Sequence, residues 1–188
     1  ARVYPCRWLF VVHRGDLMHQ AAERFQARTG QRPGRLGDGI WEPDEAVLVA
    51  TFQTLYTGLR RKETHPADFN RVCALLDTVG GVMVDEAHLL PARAFWRVAS
   101  FLRNAFYRVG LSGTPLDRGD ERALMTIGGL GPIAYELRPQ VLIDRGVLSR
   151  PEIRMVRVHQ DPGDDAALWG WHDVRRELIV GSATRNAA

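Results

Sequence analysis

Lysine is almost missing from these 188 residues: of 25 lysines and arginines, only Lys62 is a lysine. It stands in Arg60-Arg61-Lys62-Glu63-Thr64 with no glycine directly before it. The chain therefore holds no phosphate-cradling loop of the form Gly-x-x-x-x-Gly-Lys-Ser/Thr. Cysteine is scarce too. Cys6 and Cys73 lie far apart and without metal-ligand spacing, which argues against a disulfide framework or a zinc site and predicts buried, reduced thiols in an intracellular, cytoplasmic protein. No run approaches the roughly 18 uncharged apolar residues of a membrane span, and the start, Ala1-Arg2-Val3-Tyr4-Pro5, lacks a signal peptide's apolar core. No membrane is implied. The net charge of +3 is spread through a mixed surface and is no polybasic patch. The arginine bias suits phosphate recognition and equally suits a GC-rich genome.

What is present is organised around Gly80-Gly81-Val82-Met83-Val84-Asp85-Glu86-Ala87-His88. An apolar, β-branched run closing on two carboxylates fits a buried parallel strand that delivers Asp85 and Glu86 to the carboxyl edge of a sheet, where open α/β folds bind ligands. Neighbouring side chains on a strand point to opposite faces, but at the turn both carboxylates can converge on one crevice. One could hold Mg²⁺ through its water shell and the other could orient or deprotonate an attacking water. The plain alternative is a strand followed by an acidic cap of a helix that begins near Leu90-Pro91. A second apolar strand, Ala105 to Leu111, ends in Ser112-Gly113-Thr114-Pro115, with one amphipathic helix, Pro91 to Leu102, in between. On that helix Trp96 is expected in the core.

Asp-Glu-Ala-His and Ser-Gly-Thr-Pro, each closing an apolar strand and in this order, resemble motifs II and III of the DEAD/DEAH-box superfamily-2 helicases. The resemblance implies an α/β fold, a RecA-like doubly wound parallel sheet with helices on both faces, and an ATP-hydrolysing motor that moves on nucleic acid. It implies ATP and Mg²⁺ as cofactors, with Asp85 holding the metal through water, Glu86 as general base, His88 relaying nucleotide state, and Ser112 and Thr114 coupling hydrolysis to domain movement. In that family a phosphate loop precedes the first stretch recognisable here. The chain is thus expected to be a fragment cut after the phosphate-binding helix, inert as a motor by itself, and partnered by a second RecA-like domain of the same protein.

Further motifs follow in chain order. Arg7 to His13 reads as a strand and Asp16 to Arg28 as a helix with Leu17, Ala21, Phe25 and Arg28 on one face. Their junction, Val12-His13-Arg14-Gly15-Asp16-Leu17, resembles helicase motif Ia, which makes His13 and Arg14 candidate contacts to a nucleic-acid backbone. Gly30 to Gly39 carries four glycines. Asp38-Gly39 predicts a hairpin turn, and a phosphate cradle is disfavoured because no Lys-Ser/Thr or amphipathic helix follows. The Gly34-Arg35-Leu36-Gly37-Asp38-Gly39 stretch is similar to some phage and bacterial repair-type helicases. Ala46 to Thr51 is the next strand. Thr51 and Thr54 could cap the helix it enters, and in the family Val49-Ala50-Thr51-Phe52-Gln53-Thr54-Leu55 looks like the segment that holds a phosphate of the tracked strand, so Thr51, Gln53 and Thr54 join the candidates. A helix from Ala67 to Thr78 follows, with Phe69, Val72, Cys73 and Leu76 on one face.

Beyond the second motif the chain predicts a weakly helical segment before Gly128-Gly129, a helix at 138–145 and a strand at 152–158. Residues 1–159 are expected to form the first motor domain, and 160–188 a linker and the start of the second. DNA is favoured over RNA as the track, in repair or recombination. Two other readings stay open: a non-catalytic nucleic-acid-binding or scaffolding module with a relic DEAH box, and the motor subunit of a restriction enzyme. A hydrolytic metal site built on Asp85, Glu86 and His88 has no further ligand cluster behind it.

Overall fold

A computed structural model describes residues 5–90, 93–114, 123–152 and 170–173. The chain divides into two compact units, 1–134 and 135–188. The first is an α/β unit. Its strands are β1 (Arg7–Val12), β2 (Gly34–Gly37), β3 (Ile40–Trp41), β4 (Val47–Thr51), β5 (Val79–Asp85) and β6 (Tyr107–Leu111), in the sheet order β3-β2-β4-β1-β5-β6. Every pairing is parallel except β2 with β3 at the edge. That exception is the hairpin predicted at Asp38-Gly39, where φ values of 51° and 78° give the left-handed turn that Asp-Gly accommodates best.

Helices α1 (Gly15–Thr29), α2 (Phe52–Arg60), α3 (Pro66–Asp77), α4 (Arg93–Phe101) and α5 (Ala123–Leu130) accompany the strands. Strand alternation divides the core. Leu9 and Val11 of β1, Leu48 and Ala50 of β4, and Val82 and Val84 of β5 join Leu55, Leu59, Val72, Leu76 and Phe95 of α2, α3 and α4 in one cluster. Here Phe52 and Phe95 stack with ring centroids 3.7 Å apart. Each fully buried side chain of this kind contributes roughly 1.5–3 kcal/mol. Val12 and Val49 pack against Met18 and Ala22 of α1 in the other cluster.

Three expectations need correction. On α1 the buried positions are Met18 and Ala22, one residue round from the predicted stripe. Leu17 and Ala21 are partly buried against the same cluster as Met18 and Ala22, and with Phe25 they border a cavity of about 670 Å³, together with Phe10 and Met83 of the sheet. Trp96 is 38 % exposed, because the phase of α4 turns Phe95, Val98 and Leu102 inward. The cysteines are free but only half-buried. Burial, and next the Asp77 charge, push the Cys73 thiol above its ordinary pKa and keep it protonated.

In the second unit, α6 (Pro139–Asp144) takes the place of the predicted helix at 138–145. Its last turn closes through Arg145, Gly146 and Val147 N–H groups onto carbonyls of α6. Nearly all of the strand predicted at 152–158, the boundary at 160 and most of 160–188 lie outside the described residues.

Candidate functional site

Register places the candidate residues. Val12 pairs with Thr51, Val11 with Val84, and Asp85 with Leu111. The last residues of β4, β1, β5 and β6 therefore form one row along the carboxyl edge of the sheet. Close approach between β1 and β5 depends on Gly81, where a Cβ would meet the Trp8 indole at 2.7 Å.

At the end of β5 the Asp85 carboxylate folds back and accepts the Glu86 N–H through Oδ1 at 3.0 Å. The side chain also borders the cavity under α1. Glu86 takes a left-handed conformation, φ 51° and ψ 51°, that costs a non-glycine residue about 1–2 kcal/mol. The kink starts a single 3₁₀ turn, Ala87–Leu89, closed by Leu89 N–H to the Glu86 carbonyl at 2.9 Å. No side-chain cap bond forms at Glu86 on this turn. The kink also separates the two carboxylates in partners: Asp85 serves its own turn, while Glu86 Oε2 lies 3.2 Å from His88 Nδ1.

His88 joins the two motifs. Its Nδ1 is also 3.1 Å from Ser112 Oγ at the end of β6, and Ser112 Oγ accepts the Thr114 N–H at 3.1 Å. With a proton on Nδ1 the imidazole donates to the Ser112 hydroxyl, whose own hydrogen stays available for another acceptor, while the Glu86 carboxylate stands beside the same nitrogen as a charge contact. The side chains of His88 and Glu86 are 30 % and 44 % exposed. A contact so open to water adds at most about 1 kcal/mol of stability, so its value lies in orientation.

The second cluster sits on β1 and β4 of the same row. Thr51 is buried, and its hydroxyl caps α2 by accepting the Thr54 N–H at 3.4 Å and pairing with the Thr54 hydroxyl at 2.8 Å. Capping is thus the role seen for Thr51, which leaves Gln53 and the half-buried Thr54 as the accessible groups. The Gln53 amide donates to the His13 carbonyl and ties the loop after β1 to the start of α2. That tie spans 40 residues of sequence, and no local pattern announces it. The His13 Nδ1 is buried with no hydrogen-bond partner. Arg14 is exposed, with Nε and Nη2 on the two Asp16 oxygens at 3.0 and 2.9 Å. A phosphate competing for this guanidinium meets a fork geometry already set.

Among the described residues no three His, Cys, Asp or Glu side chains are grouped to hold a metal ion. The arrangement suits a divalent ion that takes one carboxylate, water and substrate phosphates, since Asp85 commits only Oδ1.

Residues 2–117 match the family described as type III restriction enzyme, res subunit. Among solved structures the chain is similar to the UvsW helicase from bacteriophage T4, at 24 % identity and a TM-score of 0.54, covering 69 % of this chain and 44 % of that one. A second T4 UvsW structure gives 23 % identity and a TM-score of 0.51 over 69 % of this chain and 25 % of its own. The Hef helicase domain from Pyrococcus furiosus gives 23 % and 0.53 over 70 % and 28 %. The chain thus spans less than half the length of each solved chain, and the likeness is one of fold. A search of the curated proteins finds no match.

Proposed function

The chain belongs to the type III restriction enzyme res-subunit family, and from that premise we propose that it is part of an ATP-dependent motor acting on nucleic acid, with DNA as the track. One observation carries the reading: on the sheet edge beside Asp85, His88 and the Thr114 N–H meet at the Ser112 hydroxyl through hydrogen bonds, and the Glu86 carboxylate lies 3.2 Å from the same His88 nitrogen. Asp85 would hold Mg²⁺ through water, and the ion when bound would neutralise phosphate charge. Glu86 would take the proton of the attacking water. His88, whose Nδ1 meets both Glu86 and Ser112, would carry the state of that carboxylate to the second motif, and Ser112 and Thr114 would pass it to domain movement. His13, Arg14, Gln53 and Thr54, with Thr51 fixing the helix start, would meet the backbone of the tracked strand. The lysine that grips phosphate and a second motor domain would come from elsewhere in the gene product, and 1–188 alone would be inert as a motor.

The family match supports a restriction-type motor subunit. The helicase-like fold and the Gly34 to Gly39 stretch support a repair-type DNA helicase, and both readings share the same chemistry. The test is ATP turnover by the intact gene product, with and without single- and double-stranded DNA or RNA, beside Glu86→Gln. Loss of a well-placed base lowers turnover by about 10² to 10⁴, roughly 3 to 5 kcal/mol of barrier, while nucleotide binding survives. Normal turnover in Glu86→Gln removes Glu86 from the role. No turnover with any polymer favours a non-catalytic binding module with a relic motif.

A further inference from the structure

A groove of about 260 Å³ runs along the outer side of α2, with Gln53 and Thr54 at one end and Arg61 at the other. Thr57 lies between them, and Arg71 of α3 and Trp41 of β3 complete the wall. The helical rise of 1.5 Å per residue sets Arg61 about 12 Å from Gln53. One carboxylate serves two guanidiniums here: Asp68 Oδ2 is 3.1 Å from Arg61 Nη1, and Asp68 Oδ1 is 3.4 Å from Arg71 Nη2. One positive charge is left over. Both arginines remain about half exposed, at 47 % and 52 %, so their other N–H groups can reach a ligand. The Arg71 guanidinium lies 4.2 Å above the centre of the Trp41 ring, which holds the plane of its fork while leaving the edge free.

We propose that this groove is a second backbone subsite for the nucleic acid, in which Arg61 and Arg71 take a phosphate of the strand that meets Gln53 and Thr54 one step earlier. The proposal rests on the motor reading, because it extends the same track down α2. Its chemistry is that of phosphate: two forked cations and the Thr57 hydroxyl line it. Asp68 sets the strength of the site. It orients both arginines and competes with an incoming phosphate for them.

The test is binding of fluorescein-labelled oligo-dT and oligo-dA by the intact protein, read by anisotropy from 50 to 300 mM salt. Thermal unfolding of each variant controls for folding. Arg61→Ala with Arg71→Ala should weaken binding about tenfold at low salt, equally for both oligonucleotides, and reduce the salt slope by about one to two. The double lysine variant should recover part of the slope. Asp68→Asn should tighten binding a few-fold, an outcome that a purely structural cluster does not produce. Unchanged binding and slope in both the double alanine and the Asp68→Asn variants, with Thr54→Val still weakening binding, would overturn the subsite and leave the motor reading standing. If the wild-type protein binds neither oligonucleotide, both fall together.

Discussion

Gly110 is the most informative single residue to change. It sits on β6 opposite Val84, and a Cβ built there would stand 2.8 Å from the Ala87 Cβ and 2.6 Å from Leu130 Cδ1. Leu130 is a flexible tip and can turn away. Ala87 cannot, because it is buried in the 3₁₀ turn that carries Glu86 and His88. An ordinary carbon contact needs about 3.5 Å, so Gly110→Ala must part the turn from the strand by about 0.7 Å. The 3.1 Å bond between His88 and Ser112 bridges that same gap, and it would stretch past the roughly 3.5 Å at which a hydrogen bond is lost. Overpacking of this kind costs about 1–3 kcal/mol, which for a domain of this size lowers Tm by several degrees. Thermal unfolding and ATP turnover of the intact protein read the two effects separately, with kcat reduced and nucleotide affinity kept. An unchanged Tm would refute the tight packing. A lowered Tm with full turnover would refute the claim that this packing sets the link between the motifs.

Glu86→Gly should leave stability unchanged or raise it by up to about 1 kcal/mol, because glycine relieves the left-handed backbone while giving up some chain entropy; a urea midpoint that falls would show the conformation is not strained. Thr51→Ala should cost about 1 kcal/mol through the lost cap, and Thr51→Ser should restore most of it, both read by urea unfolding. The Glu42 carboxyl is held below the usual carboxylate range, first by its hydrogen bond to Arg35 and then by the charges of Arg35 and Arg32. Its folded pKa is depressed, so its stabilising effect is present above the ordinary carboxylate pKa and fades as pH falls through the lower folded value. Glu42→Gln should therefore weaken the hairpin at neutral pH and flatten the acid limb of an unfolding-versus-pH curve; an acid limb that keeps its shape would refute the assignment.

The strands were legible where burial on both faces demands continuous apolar runs, as in 47–51 and 79–85. The Asp38-Gly39 turn was legible because few residue pairs accept two positive φ angles in succession. The phase of α1 was not. Its inner stripe depends on how much of the sheet it covers, and Leu17, Ala21 and Phe25 satisfy helical spacing while facing a cavity. Trp96 misled for a related reason: Phe95 and Trp96 are adjacent and equally apolar, and stacking of Phe95 on Phe52 decides which one turns inward. Residue types and spacing single out Asp85, Glu86, His88 and Ser112 as candidates, but the left-handed turn at Glu86 and the tie from Gln53 to the His13 carbonyl are products of tertiary packing.

The turn at Glu86 has a consequence for how the two clusters relate. Were the chain to leave β5 in extended conformation, Glu86 would continue the alternation of the strand and point away from the crevice beyond Asp85. The left-handed step bends the chain so that Glu86 meets His88 and His88 meets Ser112 just after β6, while Asp85 borders the cavity under α1. On the opposite flank of β5 lies β1, whose closing loop is tied by Gln53 to α2. The strand end is thus flanked by one side-chain bond from His88 to Ser112 after β6, and its neighbour β1 by another from Gln53 to the His13 carbonyl. A change in the Glu86 turn acts first on Ser112, and any movement of β5 along its length acts on the register with β1 and so on the His13 loop.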